Sequence, residues 1–194
     1  MIKTISLKRK GLCIAAALMV AVMYLSGLAA CSGTEALTTE TTGATGGGNL
    51  SGKIDANGVL LTDVEVTSED GVAALTLDRG TKAVDAAGRP LTSIDVVSKL
   101  ALTPWYDYSI YKSTYELQPV GAVFDRPVLL TFTYNASYIP DATGEAAAVI
   151  GYFDSAASEW VAVPDVQVDT VLKHVSVKIE RLGTYALAYP FPLS

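Results

Sequence analysis

The chain has 194 residues, with 20 acidic against 14 basic side chains, one histidine, two cysteines and a formal net charge of −6 at neutral pH. An acidic balance disfavours nucleic acid as a partner, and it disfavours electrostatic attraction to anionic lipid headgroups. A zinc site calls for several Cys or His ligands, of which this chain holds few.

Residues 1–10 carry Lys3, Lys8, Arg9 and Lys10 and no acid, and residues 11–30 are almost wholly apolar, ending at Leu28-Ala29-Ala30-Cys31. A basic start, an apolar run and small residues at its exit form the pattern of an export signal. Its basic end stays on the cytoplasmic side, so the remainder of the chain is translocated. With no paired arginines, the general secretory route fits better than the twin-arginine one. The Leu-Ala-Ala-Cys string resembles the lipobox of prokaryotic lipoproteins. That resemblance implies cleavage before Cys31, lipidation of its thiol, and a membrane-anchored domain outside the cytoplasm. Twenty apolar residues also suffice to cross a bilayer of about 30 Å as an uncleaved anchor, but the small side chains at the exit favour cleavage. Cys13 then leaves with the leader, and lipidation accounts for the one remaining thiol of an exported chain. Without residues 1–30, ten basic residues face twenty acidic ones, a formal charge of −10 that suits a solvated extracellular surface.

Residues 31–53 are rich in Ser, Gly, Thr, Ala and Glu and include Thr-Gly-Gly-Gly, a composition that reads as a flexible tether. Residues 54–194 are of ordinary single-domain size and show period-two alternation throughout. Strands are expected at Val64–Thr67, Val72–Leu77, Thr81–Val84, Ile94–Leu102, Ser109–Gln118, Val128–Tyr134, Ala147–Phe153, Glu159–Val163, Val166–Asp169, Val175–Ile179 and Thr184–Ala188. Turns are expected at Ser68–Gly71, Asp85–Gly88 and residues 140–144. The alanine run Glu145–Ala148 could begin a helical turn, but the β-branched and aromatic residues after it favour strand. About ten short strands without a convincing amphipathic helix predict an all-β fold, a single antiparallel β-sandwich-like domain.

Two strings are the most specific, Asp70–Thr81 (DGVAALTLDRGT) and Tyr115–Val128 (YELQPVGAVFDRPV). Together they resemble the ZU-five domain, the β module of ankyrins, netrin receptors and tight-junction scaffolds, which also occurs in prokaryotic surface proteins. Gly151-Tyr152-Phe153-Asp154, Glu159–Val163 and Leu182–Leu187 are similar to that family's later strands, so the resemblance spans about residues 62–189. It implies a binding or scaffolding module. Asp78-Arg79 stands where the family has a proline before the turn glycine. The His-Phe-Ser site at which some members self-cleave has no counterpart in Lys178–Gly183, so self-cleavage is not implied. Gly80 and Gly121 occupy positions where a turn calls for positive φ or a close backbone approach. Pro127 suits the first residue of a strand beginning at Val128, and Phe124 would plug the end of the sandwich.

Candidates for chemistry are few. His174 has no serine in a Gly-x-Ser-x-Gly context to serve and reads as a polar residue of an edge strand. Glu69, Asp70, Asp63 and Glu65 lack the Asp-x-Asp-x-Asp-Gly spacing of a calcium loop and read as solvated turn acids. Paired carboxylates could run glycosidase chemistry, but no feature selects a pair. Asn135-Ala136-Ser137 has the form of a glycosylation sequon, and Trp160 reads as core. The best interaction candidate is the aromatic cluster Trp105, Tyr106, Tyr108 and Tyr111, since exposed aromatics offer rigid contact area to sugars or proteins. The sequence thus predicts a lipid-anchored, non-catalytic surface protein with no cofactor or metal, for adhesion, protein interaction or envelope scaffolding. A small exported carboxylate hydrolase and an accessory subunit of an envelope complex are the alternatives.

Overall fold

The computed structural model describes residues 45–100, 103–139 and 142–191. The leader, Cys31 and residues 32–44 of the expected tether lie outside the described residues. In chain order the strands are β1 (Thr45–Asn49), β2 (Val64–Thr67), β3 (Ala73–Leu77), β4 (Ala83–Val84), β5 (Ser93–Lys99), β6 (Tyr108–Ile110) and β7 (Thr114–Gln118). Next come β8 (Val123–Thr133), helix α1 (Ala142–Ala146), β9 (Val149–Asp154), β10 (Glu159–Ala162), β11 (Gln167–Asp169), β12 (His174–Arg181) and β13 (Thr184–Pro190).

These strands form two antiparallel sheets packed face to face, an all-β sandwich. The first sheet runs β1-β5-β7-β13-β9-β10, with β6 pairing β13 beyond the start of β7; the second runs β11-β12-β8-β3-β2, with β4 pairing β8. Alternation sends one face of each strand inward. Ile94, Val96, Tyr115, Leu117, Ile150, Tyr185 and Leu187 of the first sheet meet Val66, Leu75, Leu77, Leu130, Phe132, Val175 and Val177 of the second in one buried cluster.

Two hydrogen bonds fix which ends of the sheets coincide. The buried Tyr115 hydroxyl donates to Asp70 Oδ2 at 2.6 Å, from β7 to the β2–β3 turn. The Asn135 amide donates to the Tyr111 hydroxyl at 2.9 Å. The start of β7, the start of β3 and the end of β8 therefore share one end of the sandwich, here called the upper end. The register pairs Thr45↔Val97 and Lys99↔Thr114 bring the chain into β1 from that same end.

The lower end is built from glycine turns hooked by aspartates. In Asp55–Val59 the Asp55 Oδ1 accepts from the amides of Asn57 and Val59, and Gly58 closes the turn at φ 84°. Asp85–Arg89 repeats it: Asp85 Oδ1 accepts from Ala87 and Arg89, with Gly88 at φ 78°. The amide bonds, from Val59 first for Asp55 and from Arg89 first for Asp85, hold both carboxyls below their ordinary pKa.

Four sequence expectations are corrected. The tether does not extend to Lys53: Thr45–Asn49 is an edge strand, so the sandwich already includes residues before 54. Its glycines permit a close approach, because a Cβ on Gly46 would collide with the Thr67 carbonyl oxygen and one on Gly48 would meet Val66 Cγ2 at 2.5 Å. The expected strand Ser109–Gln118 is broken at Tyr111–Ser113, where Lys112 takes φ 54°, into β6 and β7 on the same side of β13. Pro127 does not start β8 but lies inside it, at the register shift opposite Ile179–Arg181. A bulge needs no ladder donor there, so proline fits. The run before Val149 begins as helix α1 rather than strand, the Ala147 amide bonding to the Thr143 carbonyl. Gly80 and Gly121 do take positive φ, 84° and 85°, and Phe124 is buried.

Asp70 supplies a pH-dependent tie. Burial raises its pKa, but hydrogen bonds from Ser68, Tyr115 and the Val72 amide outweigh this and hold it below its ordinary value. A depressed native pKa stabilises the fold fully above the unfolded value of about 3.9 and is lost as pH falls through the native one. Asp70→Asn is expected to flatten the acid limb of stability measured by urea unfolding across that range. Tyr115→Phe is expected to cost about 1–3 kcal/mol at neutral pH. Gly46→Ala is expected to cost about 1–3 kcal/mol by overpacking; an unchanged unfolding midpoint would restore the tether reading of residues 45–49.

Candidate functional site

The aromatic cluster is built on the outer face of the first sheet. Ile150 points into the core, so the next residue, Gly151, faces outward, and beside it in register is the small, buried Ala186. The Trp105 ring lies directly over Gly151, where a Cβ would collide with its six-membered ring. Trp160, opposite Phe153 in the β9–β10 pair, stacks on Trp105 with centroids 5.9 Å apart and 19° between planes. Phe153 tilts against Trp160 at 5.2 Å, and Trp160 Nε1 donates to the Thr103 carbonyl at 3.0 Å. Trp160 is thus half-buried in this outer stack and not in the core as expected.

Trp105 to Tyr108 forms a tight turn, the Tyr108 amide bonding back to the Trp105 carbonyl at 2.9 Å and the two rings lying 4.4 Å apart. The turn throws Tyr106 outward at its tip, 86% exposed. Thr103, Pro104, Trp105, Tyr106, Tyr108, Ser109, Ile110 and Phe191 line an open groove of about 460 Å³. Of the four expected binding residues, the structure brings Trp105, Tyr106 and Tyr108 together here. Tyr111 is a correction: it is 3% exposed, its hydroxyl accepts from Asn135 and its ring meets Tyr138 edge-on at 6.1 Å. Ile110 shares the outer face with its register partner Ala188, so the next residue, Tyr111, turns inward beside Leu187. Phe191 is the residue that sequence reading missed; its one signal was an aromatic between two prolines, Pro190 and Pro192.

His174 also departs from expectation. It lies on β12 between β11 and β8, not on an edge strand, paired in register with Asp169 and Thr133. With Asp169, Thr131 and Ser176 it lines an open polar groove of about 550 Å³ on the outer face of the second sheet. Asp169 Oδ1 accepts from the amides of Val171 and Leu172, and those bonds, with Leu172 first, keep its pKa low. Its role is to hold the β11–β12 turn. Ser176 is two residues along the strand from His174, about 6.6 Å in rise, and among the described residues no hydrogen bond joins the two.

Other acids are likewise tied to structure. Asp63 accepts from the Arg79 amide at 2.7 Å, and Glu116 pairs with Lys99 at 2.7 Å. Glu145 of α1 accepts from the Tyr134 hydroxyl and is ion-paired with Lys173. Hydrogen bonds from Lys173 and then Tyr134 lower the pKa of Glu145, while burial and then Glu145 push Tyr134 far above the usual phenol range. Asn135 caps the 3-10 turn Ala136–Tyr138, its side chain accepting from the Ser137 amide. Among the described residues, no group of three His, Cys, Asp or Glu side chains is placed to hold a metal ion, and no helix is long and apolar enough to cross a membrane.

No protein-family model matches the chain, and no curated protein matches it significantly.

The seat and the tip of the cluster are expected to respond differently to truncation. Trp105→Ala uncovers Gly151 and unstacks Trp160, an expected loss of about 2 kcal/mol, below that of a fully buried aromatic. Tyr106→Ser is expected to stay within about 0.5 kcal/mol of the parent. Chemical denaturation of the two variants checks the difference.

Proposed function

We propose that this chain is a lipid-anchored, non-catalytic surface protein whose β domain, of the ZU-five type, mediates adhesion, protein interaction or envelope scaffolding through its aromatic groove. The observation that carries this reading is the pairing of a fixed seat with an exposed tip. Trp105 is held by Gly151, Trp160 and Tyr108, and Tyr106 projects beside it into solvent. A rigid aromatic surface binds at low entropic cost, because little side-chain freedom remains to be lost.

The lipobox-like Leu28–Cys31 string supports the anchor. The ZU-five resemblance is supported by the placement of its two strings. Asp70–Thr81 covers the β2–β3 turn, β3 and the next turn of the second sheet, and Tyr115–Val128 covers β7, its turn and the start of β8. The first string supplies Asp70 and the second Tyr115, so the two meet across the sandwich.

Two measurements test the reading. In a bacterial host fed labelled palmitate, the full chain is expected to take up label and Cys31→Ala to lose it and leave the membrane fraction; equal labelling of both removes the anchor. In co-sedimentation with isolated cell envelopes, Tyr106→Ala with Tyr108→Ala is expected to reduce retention several-fold at unchanged circular dichroism. Unchanged retention would move binding away from the groove.

A further inference from the structure

The upper end of the sandwich carries a distribution of side chains that core packing does not explain. Seven large apolar side chains of the described residues are more than half exposed: Leu100, Tyr106, Val120, Tyr138, Val171, Leu172 and Phe191. All but Val120 lie at the upper end. Leu100 comes directly after the end of β5, and Phe191 directly after β13 with its amide directed to the Asp107 carbonyl. Tyr138 closes the 3-10 turn after β8, and Val171 and Leu172 form the tip between β11 and β12. Val171 is 87% and Leu172 63% exposed although Asp169 holds the tip in shape through both their amides. The lower end presents the Asp55 and Asp85 turns, with Arg89 paired to Asp85.

The chain also enters the fold at the upper end, through Thr45. Thirteen residues separate Cys31 from Thr45, and even fully extended the connection spans no more than about 50 Å. We propose that the upper end docks on the lipid bilayer in which the anchor sits, with Tyr106, Tyr138, Val171, Leu172 and Phe191 entering the headgroup region. This inference rests on the lipid-anchor reading and names the partner of the groove's end of the domain.

The physical case is one of effective concentration and surface type. A short tether holds the domain at an effective concentration in the millimolar range, so a contact too weak to recruit a free protein suffices to orient a tethered one. Tyrosine partitions to the bilayer interface, with its ring among the acyl-chain ends and its hydroxyl in the hydrated layer. The attraction is apolar and not ionic. Lys173 and Lys99 at this end are paired with Glu145 and Glu116, and Lys112 lies 5.1 Å from the Tyr138 ring centre. Docking therefore turns the aspartate-hooked lower end away from the membrane.

The test uses the full lipidated chain, its Cys31 blocked by lipid, in vesicles of phosphatidylethanolamine and phosphatidylglycerol. An environment-sensitive fluorophore is placed at Val171→Cys or, as the lower-end reference, at Ala87→Cys. The label at 171 is expected to shift to the blue and to be quenched several-fold more by doxyl-labelled lipid than the label at 87. Adding Leu172→Asp is expected to bring the quenching at 171 down towards that at 87. Equal quenching of the two labels in chains that float with the vesicles overturns docking and leaves the anchor intact. Chains that do not float overturn both readings, and flotation separates that failure from the first. Shielding of the label at 171 in detergent without vesicles, with a doubled mass, assigns this end to a second copy of the chain and overturns docking.

Discussion

Tyr115 is wholly buried, packs edge-on against Phe132 at 5.5 Å, and directs its hydroxyl to Asp70 Oδ2. Hydrophobic contact between two sheets is non-directional, and it would tolerate one sheet sliding or turning over the other. A hydrogen bond from the middle of one sheet to a turn of the other tolerates neither. A buried phenol that loses its acceptor costs its full desolvation, so the pair penalises misaligned packing. Asp70 is committed on both oxygens, since Oδ1 accepts from Ser68 Oγ and the Val72 amide. Ser68 in turn accepts from the Ala73 amide at 2.9 Å. The tie thus reaches from β7 into the backbone that starts β3, and it decides which loops gather at the upper end.

The strands were legible because their burial has period two: Tyr115 and Leu117, or Val175, Val177 and Ile179, declare an inward face without further information. What was not legible was the meaning of residues whose signal is degenerate. Glycine marks a flexible segment by composition, but it also marks a place where two backbones come within reach of a missing side chain. Gly46 and Gly48 are of the second kind, and only the position of Thr67 and Val66 distinguishes the two. Pro127 is similar. A proline is excluded from a regular ladder, so sequence places it at a strand start, whereas the register shift between β8 and β12 provides a second permitted place inside the strand. The repeated Asp55 and Asp85 turns were open to view as Asp-x-x-Gly, but their regularity comes from side-chain oxygens capping amides, which composition does not display.

The aromatic cluster divides along the same line. Trp105, Tyr106 and Tyr108 were recognisable as interaction candidates by density of aromatic residues, but their division into seat and tip comes from one turn and one glycine. The turn at Trp105–Tyr108 brings together the rings of Trp105 and Tyr108, which simple alternation puts on opposite faces. Tyr111 belongs to the core because it follows the outward Ile110 of β6 and so falls on the inner face. Trp160 reads as core by residue type, yet its register partner Phe153 is on the outer face, and cross-strand partners share a face.

Small residues make the outer stack possible. Had Gly151 and Ala186 been the β-branched residues that strands favour, Trp105 would have no depression to lie in. Its ring would stand off the sheet, exposed and free to rotate. Removing side-chain volume on one face of a strand thus turns an exposed tryptophan into a fixed one, while Ile150 and Leu187, their neighbours in sequence, keep the opposite face packed in the core. The sandwich tolerates this because the two faces of a strand are independent in packing though contiguous in sequence. The inward face holds the fold and the outward face is free to carry a surface feature. The cluster's position near the upper end is then set by β6 and β13, which end together at Tyr108 and Pro190, the same end to which Tyr115 and Asp70 bring the loops of the second sheet.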